Sequence, residues 1–364
     1  MAKKIHVAIV FNEPTVSSER GRQFVSEAGE IAVMSSHREY LATLTKASVD
    51  MSEVGVIEER EQVERALKDS GYRTSLFNMN GAIQRLISFL EEKQPDMIFN
   101  LCESVGNESI HEMHVAGIYE LMEIPYTGAS AFGLGSCLNK IRTKEILVAN
   151  GIPTARYAMF KSSYEINLDD FNLKFPLIVK PSREDASIGI DSGSVVDNIA
   201  ALKKRIRFII QQHDQPALVE EYIEGRELNV GLLGNKRPIV LPISEIDFSG
   251  MPGDLPKIVT YNAKWMEGTP EYDGTVGKCP ADIPKEVEQR AKELALRCFR
   301  LMGTRDYARV DMRLEKNGNL FVLEVNPNPD ISDNAGFARS ARAYGLSFND
   351  IISRIVEYAW ERTP

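Results

Sequence analysis

The sequence predicts an α/β domain followed by α+β domains, and three observations carry that prediction. Two apolar runs, residues 5–11 and 95–101, have the character of buried parallel strands and are separated by helical segments. Beyond Gly151 and Pro153 the pattern changes to shorter strands and hairpins. Near the C-terminus, Asn317-Gly318 divides two alternating runs, the strongest short-range mark of a hairpin.

Taken in order, helices near 54–69 and 82–93 alternate with the two apolar runs and give the α/β unit. Residues 12–52 form a polar insertion too long for a tight connection, with one candidate helix at 36–47, and such a segment is either functional or mobile. A helix at 111–122, a strand and turn at 124–128 and a helix at 140–150 follow. Strands are expected at 175–180, 193–196, 217–222, 227–233 and 239–248, with a helix at 199–212. Residues 249–278 are rich in glycine and proline, lack core periodicity and read as one long excursion. A helix at 284–302, the hairpin and a helix at 348–361 close the chain. The expected division is 1–139, 140–223 and 224–364.

At 364 residues, 43% hydrophobic and 26% charged, the chain can bury a large core. A net charge of -9 argues against nucleic acid as a partner, because phosphate-backbone binding is driven by lysine and arginine. No apolar run is long enough to span a membrane, and the opening apolar stretch is broken at Asn12-Glu13-Pro14 before it could act as a signal peptide. A cytoplasmic protein is expected. Cys102, Cys137, Cys279 and Cys298 are widely spaced and fit reduced, structural thiols.

Taking Asn317-Gly318 as a two-residue type I′ turn fixes a register by counting outward. Lys316 then faces Asn319, Leu314 faces Phe321, Met312 faces Leu323, Asp311 faces Glu324 and Arg309 faces Asn326. Val310, Met312, Leu314, Phe321, Leu323 and Val325 share an apolar face, while Arg309, Asp311, Glu324 and Asn326 share the other. Opposed carboxylates beside a carboxamide are hard oxygen ligands of the kind Mg²⁺ takes. The competing reading is a polar face whose acids are neutralised by Arg309 and Arg313.

No Gly-x-x-x-x-Gly-Lys-Ser/Thr occurs, and Gly133-Leu134-Gly135 fails as a dinucleotide fingerprint at Leu138. A better phosphate site is the stretch from Pro176 to Gly189, in which a buried strand ends in Lys180 and passes into a small-residue loop whose N–H groups could cradle an anion. Lys140, opening a helix, is a second cation suited to an anion. Residues 217–227 form a strand, a turn and a strand suited to an adenine site. His111-Glu112-x-His114 lacks the spacing of a zinc helix and reads as polar surface. Glu103, at the carboxyl end of a parallel strand, is a better candidate for a substrate cleft.

In this order these segments resemble the ATP-grasp superfamily, and most closely the D-alanine–D-alanine ligase family. The resemblance runs from Glu120 to Gly128, through Asn139 to Lys144, the Lys180 to Gly189 loop, Glu220 to Glu227, Asn262-Ala263-Lys264 and Cys279-Pro280-Ala281, to Arg309 and Asn326. It implies an ATP-grasp fold with an N-terminal Rossmann-like parallel-sheet domain, and ATP with Mg²⁺, Mn²⁺ being the alternative ion. By the same resemblance Lys140 and Lys180 contact ATP phosphates, Ser187 sits in the loop over them, and Glu220, Tyr222, Ile223 and Glu227 hold adenosine. Lys264 reaches the γ-phosphate, Arg309 stabilises an oxyanion, and Asp311, Glu324 and Asn326 ligate the metal. The implied reaction joins a small-molecule carboxylate to an amine through an acyl phosphate, with a homodimer among the assemblies open to the protein.

The chain departs from the family where Ala186 and Trp265 replace a serine and a tyrosine, and where the acidic segment from Pro327 to Gly336 replaces serines that grip the second substrate. Glu13, Glu103, Trp265, Asp330 and Asp333 are therefore the substrate candidates, and Arg339 is the nearest cation for an anion there. A carboxylate–amine pair other than two D-alanines is expected. D-alanine–D-alanine ligation is the runner-up, and a nucleotide-binding regulator without turnover is the rival from another class.

Overall fold

The structure, a computed structural model, describes residues 4–12, 15–18, 21–25, 31–32, 51–79, 83–105, 108–162, 166 and 171–363. The candidate helix at 36–47 and the substrate candidate Glu13 lie outside the described residues.

Strand β1 (His6–Phe11) is followed by β2 (Thr15–Ser18), β3 (Gly21–Val25) and β4 (Ile31–Ala32), which form a small antiparallel sheet. Helix α1 (Met51–Asp69), β5 (Arg73–Asn78), α2 (Ile83–Lys93) and β6 (Met97–Leu101) complete a parallel sheet of order β5-β1-β6. Its central strand β1 is buried along its whole length, as its sequence requires. The edge strand β5 was not expected, because most of its residues are partly exposed and it carries no apolar run. Helices α3 (His111–Leu121) and α4 (Ala131–Leu138) pack against one another. A Cβ at Gly135 would lie 2.4 Å from Met113 Sδ, so this glycine serves close helix packing.

Helix α5 (Lys140–Ala149) starts on Asn139, whose side chain accepts a bond from the Arg142 N–H. Strands β7 (Tyr157–Phe160), β8 (Leu177–Pro181) and β9 (Val195–Val196), helix α6 (Ile199–His213) and strand β10 (Ala217–Glu221) build an antiparallel sheet of order β7-β10-β8-β9 with α6 against it.

The last unit contains β11 (Arg226–Leu233), β12 (Ile239–Val240), β13 (Ser244–Asp247), α7 (Tyr261–Trp265), α8 (Pro270–Asp273), β14 (Val276–Lys278), α9 (Lys285–Leu301), β15 (Tyr307–Leu314) and β16 (Leu320–Asn326). Its sheet runs β14-β13-β11-β15-β16, with β12 paired to β11. Helices α10 (Gly336–Tyr344) and α11 (Phe348–Trp360) end the chain. One hydrophobic cluster joins β1, α1 and β6 to α10 and α11, so the first and last units share a core. Among the described residues no helix is long and apolar enough to cross a membrane.

Expectations need correction at three places, the first being the single strand expected at 239–248, which is divided into β12 and β13. The excursion expected at 249–278 carries local structure that its sequence pattern does not show: Thr260 and Thr269 cap α7 and α8, Met251, Ile258 and Ala263 are buried, and β14 pairs with β13. The 315–319 turn is not type I′. Gly318 N–H donates to Glu315 O, the Glu315 N–H donates to Asn319 O, and only Gly318 of the tip has positive φ, at 87°. That is a three-residue loop with glycine in the left-handed position. It sets Leu314 opposite Leu320 and Met312 opposite Val322, and a bulge next to Asp311 then restores the expected register. Leu320, Val322 and Val325 therefore enter the core, whereas Phe321 and Leu323 do not. Because loop and bulge cancel, Asp311 faces Glu324 and Arg309 faces Asn326 as the sequence predicts.

Candidate active site

The polar face of the β15–β16 hairpin forms part of the wall of a cavity of ≈ 640 Å³, shared by all three units. Arg309 donates to Asp311 through Nε and Nη2, both at 2.8 Å. Asn229 and Asn326 donate to the same carboxylate at 2.7 and 2.9 Å. Glu324 pairs with Lys140 at 3.1 Å, and Lys140 also pairs with Asp185 at 3.0 Å. Burial alone would raise the Glu324 carboxyl, but Lys140, Lys180 and Arg309 overcome it and hold the group well below the usual carboxylate range. The repulsion expected between Asp311 and Glu324 is thus met within the chain. Arg313 pairs with Glu227 at 3.1 Å and takes no part in that neutralisation.

Lys180, at the end of β8, pairs with Glu220 at 2.5 Å, and Lys144 pairs with the same carboxylate from α5. Lys144 is fully buried and also donates to Thr154 Oγ1 at 2.7 Å. A buried charge needs a counter-charge, and the two ammoniums hold Glu220 ionised, with its pKa lowered despite burial. Tyr222 Oη donates to Lys257 O at 3.3 Å, Ile223 is half-buried just beyond β10, and Glu227 is buried on β11. The cavity wall includes Ser187, Glu227, Lys264, Arg309, Asp311, Glu324 and Asn326, but not Lys140, Lys180, Glu220, Tyr222 or Ile223.

Three hydrogen bonds fasten the 259–265 segment to the loop after β8. Ser187 Oγ donates to Val259 O, the Tyr261 N–H to Ile190 O, and Trp265 Nε1–H to Ala186 O, each at 2.9 Å. Ala186 and Ser187 both have positive φ, 53° and 62°, which turns the loop under this segment. Lys264 Nζ lies 4.6 Å over the Trp265 ring. Trp265 and Ala186 therefore satisfy one another directly, which the sequence did not reveal.

The wall of the cavity also includes Glu59, Glu103, Glu112, Asp330 and Arg339. Glu59 accepts the Ile331 N–H at 3.0 Å, Glu112 accepts from Asn328 Nδ2 at 2.9 Å, and Asp330 accepts from Ser332 Oγ at 2.6 Å. Burial first, and then Asp330 and Glu103, push the Glu59 carboxyl well up; burial, Glu103 and Asp185 do the same to Glu112. Asp333 is the candidate that fails, since it is exposed, pairs with Arg342 at 2.5 Å and is absent from the cavity wall. No sequence pattern points to Glu59, Glu112 or Lys144, although Glu112 lies inside the His111-Glu112-x-His114 stretch. His111 instead bonds to Val105 O through Nδ1 at 2.9 Å.

Comparison with known proteins fits this arrangement. The family model described as D-ala D-ala ligase C-terminus matches residues 146–357. An uncharacterized protein, y4sG, of Sinorhizobium fredii is 33% identical over 310 residues, 83% of this chain and 87% of that protein. The D-alanine–D-alanine ligases of Carboxydothermus hydrogenoformans and Desulforudis audaxviator are 32% and 33% identical, covering 80% and 82% of this chain and 89% and 91% of theirs. The crystal structure of the D-alanine–D-alanine ligase of Bacillus anthracis complexed with ATP superposes with a TM-score of 0.71 at 21% identity, covering 99% of this chain and 98% of that one. This last likeness bears on the fold alone, which is ATP-grasp. With a family model spanning more than half of its length and relatives one-third identical along four-fifths of it, the chain belongs to the D-alanine–D-alanine ligase family and is an ATP-dependent carboxylate–amine ligase.

Proposed function

We propose that the enzyme joins two small metabolites of the amino-acid class, with ATP bound between the 140–223 and 224–364 units and the substrates against the 1–139 unit. The observation that carries this reading is the opposition of Asp311 and Glu324 beside Asn326, ringed by Arg309, Lys140 and the Lys180–Glu220 pair. Lys140 and Lys180 contact the phosphates under the Ser187 loop, and Glu220, Tyr222, Ile223 and Glu227 receive adenosine. Lys264 approaches the γ-phosphoryl from the 249–278 lid.

The donor carboxylate attacks the γ-phosphorus, the bond from that phosphorus to the ADP oxygen breaks, and an acyl phosphate forms. The amine then attacks the acyl carbon; a C–N bond forms, phosphate leaves and the nitrogen loses a proton. Arg309 stabilises the oxyanion of the tetrahedral intermediate, while positioning and electrostatics provide most of the rate. The fastened lid keeps the acyl phosphate from water. Asp311, Glu324 and Asn326 suit Mg²⁺, or Mn²⁺ in its place, because their oxygens are hard donors and Glu324 is held ionised. Among the described residues no group of three or more His, Cys, Asp or Glu could hold a metal ion by itself, so phosphates and waters would have to complete the shell. The ion would neutralise charge on the transferring phosphoryl group.

The names of the relatives favour a second reading, in which both substrates are D-alanine. Loss of the substrate hydroxyls at Ala186 and Trp265 and the acid at Asp330 favour another pair. ADP release from Mg²⁺-ATP with pairs of amino acids, dipeptides and hydroxy acids, coupled to product mass, tests both. An amide formed in step with ADP supports ligation, whereas no ADP with any pair contradicts it. D-alanyl-D-alanine at a turnover of about one per second or faster would establish the second reading.

A further inference from the structure

We infer that Arg339 is the specificity residue that anchors the carboxylate of the amine-bearing substrate, an inference that rests on the ligase reading. Arg339 projects from the first turn of α10 onto the cavity wall. Its one recorded side-chain hydrogen bond is the donation from Nε to Ser244 Oγ at 3.3 Å, and it makes no ion pair among the described residues. The neighbouring guanidiniums are engaged otherwise. Arg309 holds Asp311, Arg313 holds Glu227 and Arg342 holds Asp333.

Room for this guanidinium is built into the facing strand. A Cβ at Gly277 of β14 would lie 2.1 Å from Arg339 Nη2 and 2.2 Å from Cζ. Gly277 is absent from the positive-φ residues, so its backbone does not ask for glycine; the space does. Burial lowers the pKa of Arg339, and the positive charges of Arg342 and Arg309 lower it further, whereas an incoming carboxylate would offset all three effects. An arginine fork matches a carboxylate in geometry as well as charge. Arg339 lines the same cavity as Lys264 and Arg309, the residues proposed for the γ-phosphoryl and the oxyanion, so a carboxylate held by it would share the cavity with the reacting groups.

The test uses the full chain with saturating Mg²⁺-ATP and, as acceptors, glycine, D-alanine and L-alanine alongside glycinamide, D-alaninamide and L-alaninamide. The wild type should prefer acids to amides. Arg339→Gln should raise the acceptor KM by about tenfold to a hundredfold and abolish that preference. Its kcat and its KM for ATP should stay within about threefold, and Arg339→Lys should restore part of the preference. Gly277→Ala should reproduce the acceptor defect with Arg339 intact, which keeps the test decisive if Arg339→Gln folds poorly. An unchanged acceptor KM in all three variants would overturn the assignment, as would an equal rise in the KM for ATP, which would mark Arg339 as a phosphate ligand. No ADP release by the wild type with any pair would overturn the ligase reading, and this inference with it.

Discussion

Of the groups proposed to serve the nucleotide, Lys140, Lys180, Glu220, Glu324, Arg309 and Asp311 are all held in ion pairs; of those proposed to serve the acceptor, Glu59, Glu112, Asp330 and Arg339 make none among the described residues. The first set is held in place by its own counter-charges. In the second, Glu59 and Glu112 are driven toward the neutral form and the Arg339 guanidinium has no counter-charge among the described residues, so an anionic ligand would supply one. Rigid, pre-paired groups suit a nucleotide common to every turnover, whereas unmatched groups suit selection among acceptors.

The sharpest break in this contrast is Glu324→Gln. It removes charge at nearly constant volume, and turnover should fall by at least about a thousandfold while the fold is retained, Lys140 keeping its pair with Asp185. Normal ADP formation at ordinary Mg²⁺ would remove Glu324 from the catalytic set.

Lys144→Met comes next. Taking one partner from a buried pair costs about 3–5 kcal/mol, and because Lys180 still serves Glu220 the lower part of that range is expected. Chemical denaturation should report the loss, together with a raised KM for ATP. A variant as stable as the wild type would mean that Lys180 alone holds Glu220.

Trp265→Phe keeps an aromatic ring but removes the indole N–H and with it the bond to Ala186 O. As Ala186 is half-buried, about 1 kcal/mol is expected for the orphaned carbonyl, read as faster proteolysis within 249–278 in the absence of nucleotide. Equal cleavage of variant and wild type would show that the other two fastenings suffice.

The smallest effect belongs to Glu59→Gln. Since the folded pKa of Glu59 is raised, the folded chain holds a proton that the unfolded chain releases. Stability is therefore fully present at low pH and falls as pH rises from the ordinary carboxylate value through the raised one. Removing the charge should stabilise the protein by about 1 kcal/mol at neutral pH and flatten that slope. A destabilised variant with an unchanged slope would mean that Glu59 acts through its bond to Ile331 N–H alone.

The same contrast separates what could be read in the sequence from what could not. The nucleotide set lies on short local patterns: a strand ending in Lys180, a helix opening at Lys140 and a hairpin whose register counts out from Asn317-Gly318. Even there the turn differs from the type I′ expectation, and Asp311 still faces Glu324 because an extra loop residue and a bulge offset one another. Glu59 and Glu112 stand on helices from distant parts of the chain, and only packing brings them to one wall. No spacing announces such residues. Asp330 and Asp333 looked equivalent in sequence, yet Arg342 draws one of them outward.

The central claim, that the two sets are separable, is tested most directly by measuring initial rates across a matrix of ATP and acceptor concentrations for the wild type, Lys180→Gln and Arg339→Gln. The prediction is that Lys180→Gln raises the KM for ATP by about tenfold or more and leaves the acceptor KM nearly unchanged, while Arg339→Gln does the reverse. Both KM values rising together in either variant would contradict it.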